Sequence, residues 1–151
     1  MFTTVRYFVK TSIIFLVLGI LTGLYMSFSK YLNGGVYTQE LISAHTHIIL
    51  VGSVMMMIMG VALWFFPRAE KDDKKYNPDL ILVVYWLMAG ATFFRFVLQV
   101  TASFHYISWV NVSVFIFSTL QVIAMILFFY SMWGRIRAVG SQYREAKGEK
   151  F

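Results

Sequence analysis

Residues 44–68 read AHTHIILVGSVMMMIMGVALWFFPR: two histidines two positions apart, then a run with no charged residue until Arg68. At about 1.5 Å per residue, about 20 such residues carry a helix across the hydrocarbon core of a bilayer. This stretch therefore predicts a membrane span over 41–66. Three more runs of comparable length and polarity lie at 8–29, 80–101 and 108–133, and the 151 residues leave no room for a fifth span or a separate soluble domain. The first run follows Arg6 and Lys10 but lacks an A-x-A cleavage pattern before Lys30, so it reads as a retained span. The fold class predicted is all-α, an integral membrane four-helix protein, with a spanning domain over 1–134 and a basic tail over 135–151.

Composition agrees: 59% of the residues are hydrophobic and 13% charged, too apolar a balance for a soluble domain. A net charge of +6 resembles a nucleic-acid signal until its positions are read. Two basic residues, Arg6 and Lys10, lie at the amino end, four lie in 67–79 and five follow residue 134, against Lys30 alone in the other two connections. That bias puts both termini in the cytoplasm of a prokaryotic inner membrane and excludes a nucleic-acid partner. The 67–79 segment reads as a polar hairpin loop whose Asn77-Pro78 opens the third helix. Residues 140–151 read as disordered or as a short surface helix.

With this topology the second span enters from the outer side, and the polar residues of interest gather there. His45 and His47 lie about one and a half turns in; Arg95 and Gln99 share a face in the outer half of the third span; His105 lies in the outer connection. No acidic residue falls inside 41–66 or the other spans, so a transporter built on a membrane carboxylate has nothing to work with. Cysteine is absent, which excludes disulfides, thiolate metal sites and covalently attached c-type haem.

Two imidazoles at i and i+2 diverge by about 200° around a helix. They cannot ligate one ion from the same side, but each can reach a different metal. The competing reading is an interface histidine bonded to a carbonyl. Arg95 needs an anion, because an unpaired guanidinium in a span costs several kcal/mol; its alternative is snorkelling outward beside Gln99. Met55, Met56, Met57 and Met59 invite a copper site, although at 100° per residue they point around most of the helix. Gly19, Gly23 and Ser27 form a small-residue stripe for helix packing. Asn111 and Ser118 read as interhelical hydrogen-bonding groups, and His105 as an interfacial residue or a third ligand.

The pattern Ala44-His45-x-His47 with Gly52, Gly60, Trp64, Phe65, Pro67 and Arg68 resembles the tenth helix of the catalytic subunit of haem-copper oxidases and nitric oxide reductases. In that family the first histidine ligates the high-spin haem and the second the low-spin haem on the opposite face. The resemblance implies one four-helix arc, a third of the family's twelve-helix architecture. It implies haem b ligated by His45 and His47, with Arg95 and Gln99 near the propionates. The further histidines of the family's copper site are missing, so no complete haem-copper centre is encoded in one chain. Three copies would rebuild the ring as a homotrimer with one haem at each subunit interface.

The function implied is that of a membrane b-type cytochrome working in electron transfer or in oxygen or nitric oxide chemistry, with an unidentified redox partner. Its alternatives are an accessory or split subunit of a larger oxidase or reductase, and a chain that keeps the helices without the cofactor.

Overall fold

The computed structural model describes residues 2–66, 77–106, 108–136, 140, 143, 144, 147 and 148. Four long helices account for the body of the protein: α1 (Phe2–Tyr31), α2 (Gln39–Phe65), α3 (Pro78–Phe104) and α4 (Val110–Met132). A single 3-10 turn, Trp133–Arg135, follows α4, and no strand occurs among the described residues. All four helices are long and apolar enough to cross a membrane. α1 and α3 extend beyond their expected spans at both ends, α2 begins two residues earlier and ends one earlier, and α4 begins two residues later and ends one earlier than expected. The polar loop expected over 67–79 and most of the tail lie outside the described residues.

Local chemistry sets the helix starts. Thr38 accepts a hydrogen bond from the Leu41 N–H at 3.3 Å and Asn77 one from the Asp79 N–H at 2.8 Å, each satisfying a donor that a first turn leaves open. Pro78 at the first position of α3 supplies a fixed φ where no N–H is needed. Gly34, at φ +61°, reverses the chain between α1 and α2, a backbone setting that glycine adopts without strain.

α2 is not uniform. It runs as an α-helix over Gln39–His47, as a π-helix over Ile48–Met55 and as an α-helix again over Met56–Phe65. A π stretch is uncommon and is found most often beside functional groups; here it begins immediately after His47.

Each helix packs chiefly on its sequence neighbours, α1 on α2, α2 on α3 and α3 on α4, the order expected of an arc. At the end holding the termini the arc tightens, with Thr11 and Tyr85 hydroxyls 2.8 Å apart and Phe8 edge-on to Tyr85 and Phe128. Phe8, Met56, Met59, Leu63, Met88, Phe128 and Met132 fill the core there. Lipid solvates apolar side chains as well as a neighbouring helix does, so close approach at small residues does much of the packing. A β-carbon on Gly19 would collide with Ile49, and one on Gly52 would lie 2.8 Å from Thr92 and 2.9 Å from Phe15. Gly60 receives Phe8 and Val9 at 3.0 Å. The two glycines of α2 are thus crossing points.

Arg135, assigned to the tail by its charge, is buried and donates to the Phe66 carbonyl at 3.3 Å. A guanidinium on the last carbonyls of α2 also complements that helix's dipole. Asn111 is exposed, and Ser118 returns its hydroxyl to the Val114 carbonyl at 2.6 Å, so neither bridges helices as expected. The methionines do not gather at one locus either: Met56 and Met59 are core residues, while the Met57 sulfur accepts from the Ser12 hydroxyl at 3.7 Å.

Candidate functional site

The two histidines point to different neighbours, as their spacing requires. The His45 ring lies on the small-residue stripe of α1. Its Nδ1 is 2.9 Å from the Gly19 carbonyl, and a β-carbon on Gly23 would come within 2.8 Å of its Cε1. His47 lies on the side of α3; its Nδ1 is 2.9 Å from the Ser43 carbonyl one turn earlier, and Ser43 accepts from Gln99 of α3.

A carbonyl only accepts, so both Nδ1 atoms carry the proton. An imidazole without a second proton then carries its lone pair on Nε2, and neither Nε2 has a hydrogen-bond partner among the described residues. This is how a metal-binding imidazole is oriented, the far nitrogen tied to a carbonyl and the near one left as ligand.

Beside His47 the buried stripe of α3 changes character. Its half near the termini is apolar, with Ile81, Tyr85 and Met88; its other half carries Thr92, Arg95 and Gln99 on the same face. Arg95 is 8% exposed, about 13 Å from the end of α3, and His47 lies about 12 Å from the start of α2. Arg95 donates to the Gln121 carbonyl oxygen at 3.1 Å, and Gln121 passes a bond to the Thr92 hydroxyl at 2.8 Å. Gln99 donates from its amide nitrogen to Glu40 at 3.1 Å and to the Ser43 hydroxyl at 2.9 Å. Helices α2, α3 and α4 are joined by this network. Two of its buried atoms, Arg95 Nε and Gln99 Oε1, have no partner among the described residues. An unmade donor and an unmade acceptor at such depth mark a place where a further group belongs.

Glu40 corrects the expectation that no acid enters a span. α2 starts at Gln39, not at residue 41, and its first turn delivers a half-buried carboxylate that accepts from Gln99. Gln99 shares the Arg95 face as expected, but its donor nitrogen is engaged, which leaves an acceptor where a donor was expected. Thr92 and Gln121 escaped the sequence reading. The amide of Gln121, isolated among apolar residues in mid-helix, was the available signal. His105 is exposed, and its N–H closes the last turn of α3 on the Thr101 carbonyl.

A polar cavity of about 230 Å³ adjoins His45, lined also by Gly23, Ser27, Lys30, Tyr31 and Tyr37. Ligand pockets usually span about 300–1,000 Å³, so this one chain provides a wall and not an enclosure for a large planar cofactor. No group of three or more His, Cys, Asp or Glu suited to a metal ion occurs among the described residues. A bare-ion centre does not fit, whereas a cofactor that brings its own metal and needs one imidazole per side does.

Residues 3–149 match the family described as Cytochrome C and Quinol oxidase polypeptide I. No curated protein and no solved structure matches the chain.

Proposed function

Because the chain belongs to the cytochrome c and quinol oxidase polypeptide I family, the haem-copper oxidase subunit I group, we propose that it is a membrane b-type cytochrome. His45 and His47 would be the residues that hold its haem iron. The observation that carries this reading is the pair of carbonyl-anchored imidazoles, each with Nε2 free, on opposite sides of α2. Since they face apart, the second ligand of each haem comes from another chain; closure of three arcs gives a homotrimer with one haem per interface. The small cavity at His45 supports a shared site. Arg95, through its unpartnered Nε, holds a propionate, and Gln99 fixes Ser43 and Glu40 around it.

Haem supplies reversible one-electron chemistry when bound. The chain's part is to fix the imidazoles, exclude water from the apolar core and balance propionate charge with Arg95. With a histidine held on each side, the group would supply electron transfer in preference to oxygen or nitric oxide reduction, which would require one histidine to be lost.

A dithionite-reduced minus oxidised spectrum, with a pyridine haemochrome assay, is expected to show non-covalent haem b, since cysteine is absent. A protein isolated with no such spectrum ends the reading. Native mass spectrometry is expected to give three chains with up to three haems. The second reading, a split subunit of a larger oxidase or reductase, is favoured by the same half-formed cavity, and co-purification of a different chain at fixed ratio would establish it.

Both termini and the basic tail over 135–151 belong on the cytoplasmic side of a prokaryotic inner membrane, by the charge bias. Topology reporters fused after Lys30 and after Phe104 are expected to lie outside. Cytoplasmic activity at either position reverses the orientation.

A further inference from the structure

One nitrogen of His47 faces two groups, and both belong to Ser43. The Ser43 carbonyl lies 2.9 Å from Nδ1 and the Ser43 hydroxyl 3.4 Å from it. The carbonyl only accepts and so requires a proton on Nδ1. The hydroxyl also donates, and a bond donated to Nδ1 would leave the ring's single proton on Nε2. Two tautomers thus compete at His47, and only the first keeps Nε2 as a ligand. His45 meets no such choice, because its Nδ1 faces the Gly19 carbonyl, an acceptor alone.

A hydrogen-bonding hydroxyl normally closes to about 3 Å or less, so the Ser43 oxygen stands back from the ring. What holds it is the amide nitrogen of Gln99, 2.9 Å away on α3. The same nitrogen donates to the Glu40 carboxylate at 3.1 Å. A carboxylate oxygen accepts and does not donate, so Glu40 dictates which end of the amide faces α2. The orientation is kept even though it leaves Gln99 Oε1 buried and without a partner among the described residues. Turned over, the amide would set its oxygen against the carboxylate. Gln99 is 2% exposed, so water does not compete for these contacts.

We infer that Gln99, aimed by Glu40, is a positioning residue for His47: its amide holds the Ser43 hydroxyl off the ring, so that the proton stays on Nδ1 and Nε2 keeps its lone pair. Outer partners fix the tautomer of a metal-binding histidine in this way. The inference rests on the haem reading for the use of that lone pair and adds to it the residues of α3 and α2 that select it.

The test uses the full chain in detergent before haem is added, with isotope-labelled histidine. Proton–nitrogen correlation NMR shows which ring nitrogen bears the proton, and His45→Ala and His105→Ala assign the rings. Wild type is expected to carry Nδ1–H at His45 and His47. Gln99→Met keeps the side-chain length and removes the amide. It is expected to shift the tautomer ratio at His47 toward Nε2–H by roughly fivefold, the weight of one hydrogen bond, and to leave His45 unchanged. Adding Ser43→Ala to Gln99→Met removes the competing hydroxyl and is expected to restore the wild-type ratio, which a merely structural role for Gln99 would not do. If Gln99→Met gives too little folded protein, Gln99→Asn, an amide one methylene too short to reach Ser43, carries the same expectation. An unchanged ratio at His47, a shift that Ser43→Ala does not reverse, or equal shifts at His45 and His47 overturn the inference. Protein that shows the expected tautomers and then takes up no haem on titration removes the haem reading alone.

Discussion

His45→Ala and His47→Ala are each expected to reduce haem affinity by at least about 100-fold, read as loss of the Soret band in purified protein, while His105→Ala keeps the wild-type spectrum. Loss of a partner that merely orients a ligand already weakens a metal site by about 10- to 100-fold, and these substitutions remove the ligand itself. The proposed assembly adds a sharper expectation. If each interface takes His45 from one chain and His47 from the next, co-expressing the two single variants restores absorption at the interfaces where both wild-type imidazoles meet. A monomer that retains a bis-histidine spectrum would transfer the second ligand to His105 and end the trimer. Unchanged spectra in both alanine variants would remove both histidines from the cofactor.

Gly52→Val is expected to destabilise the folded chain by about 2–3 kcal/mol, the upper part of the range for overfilling a packed interior. Its first added carbon would lie 2.8 Å from the Thr92 side chain and 2.9 Å from the Phe15 ring. α1 and α3 cannot both retreat without opening the crossing. Because Thr92 accepts from Gln121, which in turn receives Arg95, the damage should spread into the polar network. Thermal unfolding in detergent is the measurement, with Gly90→Ala as control, since a β-carbon there meets nothing within 4 Å. A melting temperature equal to wild type for Gly52→Val would show that the crossing is looser than described.

Hydrophobic run length located all four helices, and the two-residue spacing of His45 and His47 set their divergence, because both follow from local geometry alone. The shared face of Arg95 and Gln99 was legible for the same reason. What was not legible depends on neighbours distant in sequence. The stripe of Gly19 and Gly23 announces a close approach, but that the approaching group is the His45 ring is a fact about how α1 meets α2. Gln121 reads as one amide in an apolar helix until α3 sets Arg95 and Thr92 against it. Glu40 was lost to a boundary: Thr38 was not recognised as the cap, so the carboxylate remained in the loop. The π segment leaves no mark in a run of Ile, Leu, Val and Met, since its apolar side chains suit either helix.

That π segment separates two angular phases within one membrane helix. Each i→i+5 turn takes in one residue more than an α turn, and one residue corresponds to about 100° of azimuth. Below it, Met56, Met59 and Leu63 are indexed to the core; above it, His45 and His47 are indexed to α1 and α3. A one-residue change of length within Ile48–Met55 would re-aim both imidazoles together relative to Met56, Met59 and Leu63, and it would also draw Gly52 out of its seat between Thr92 and Phe15.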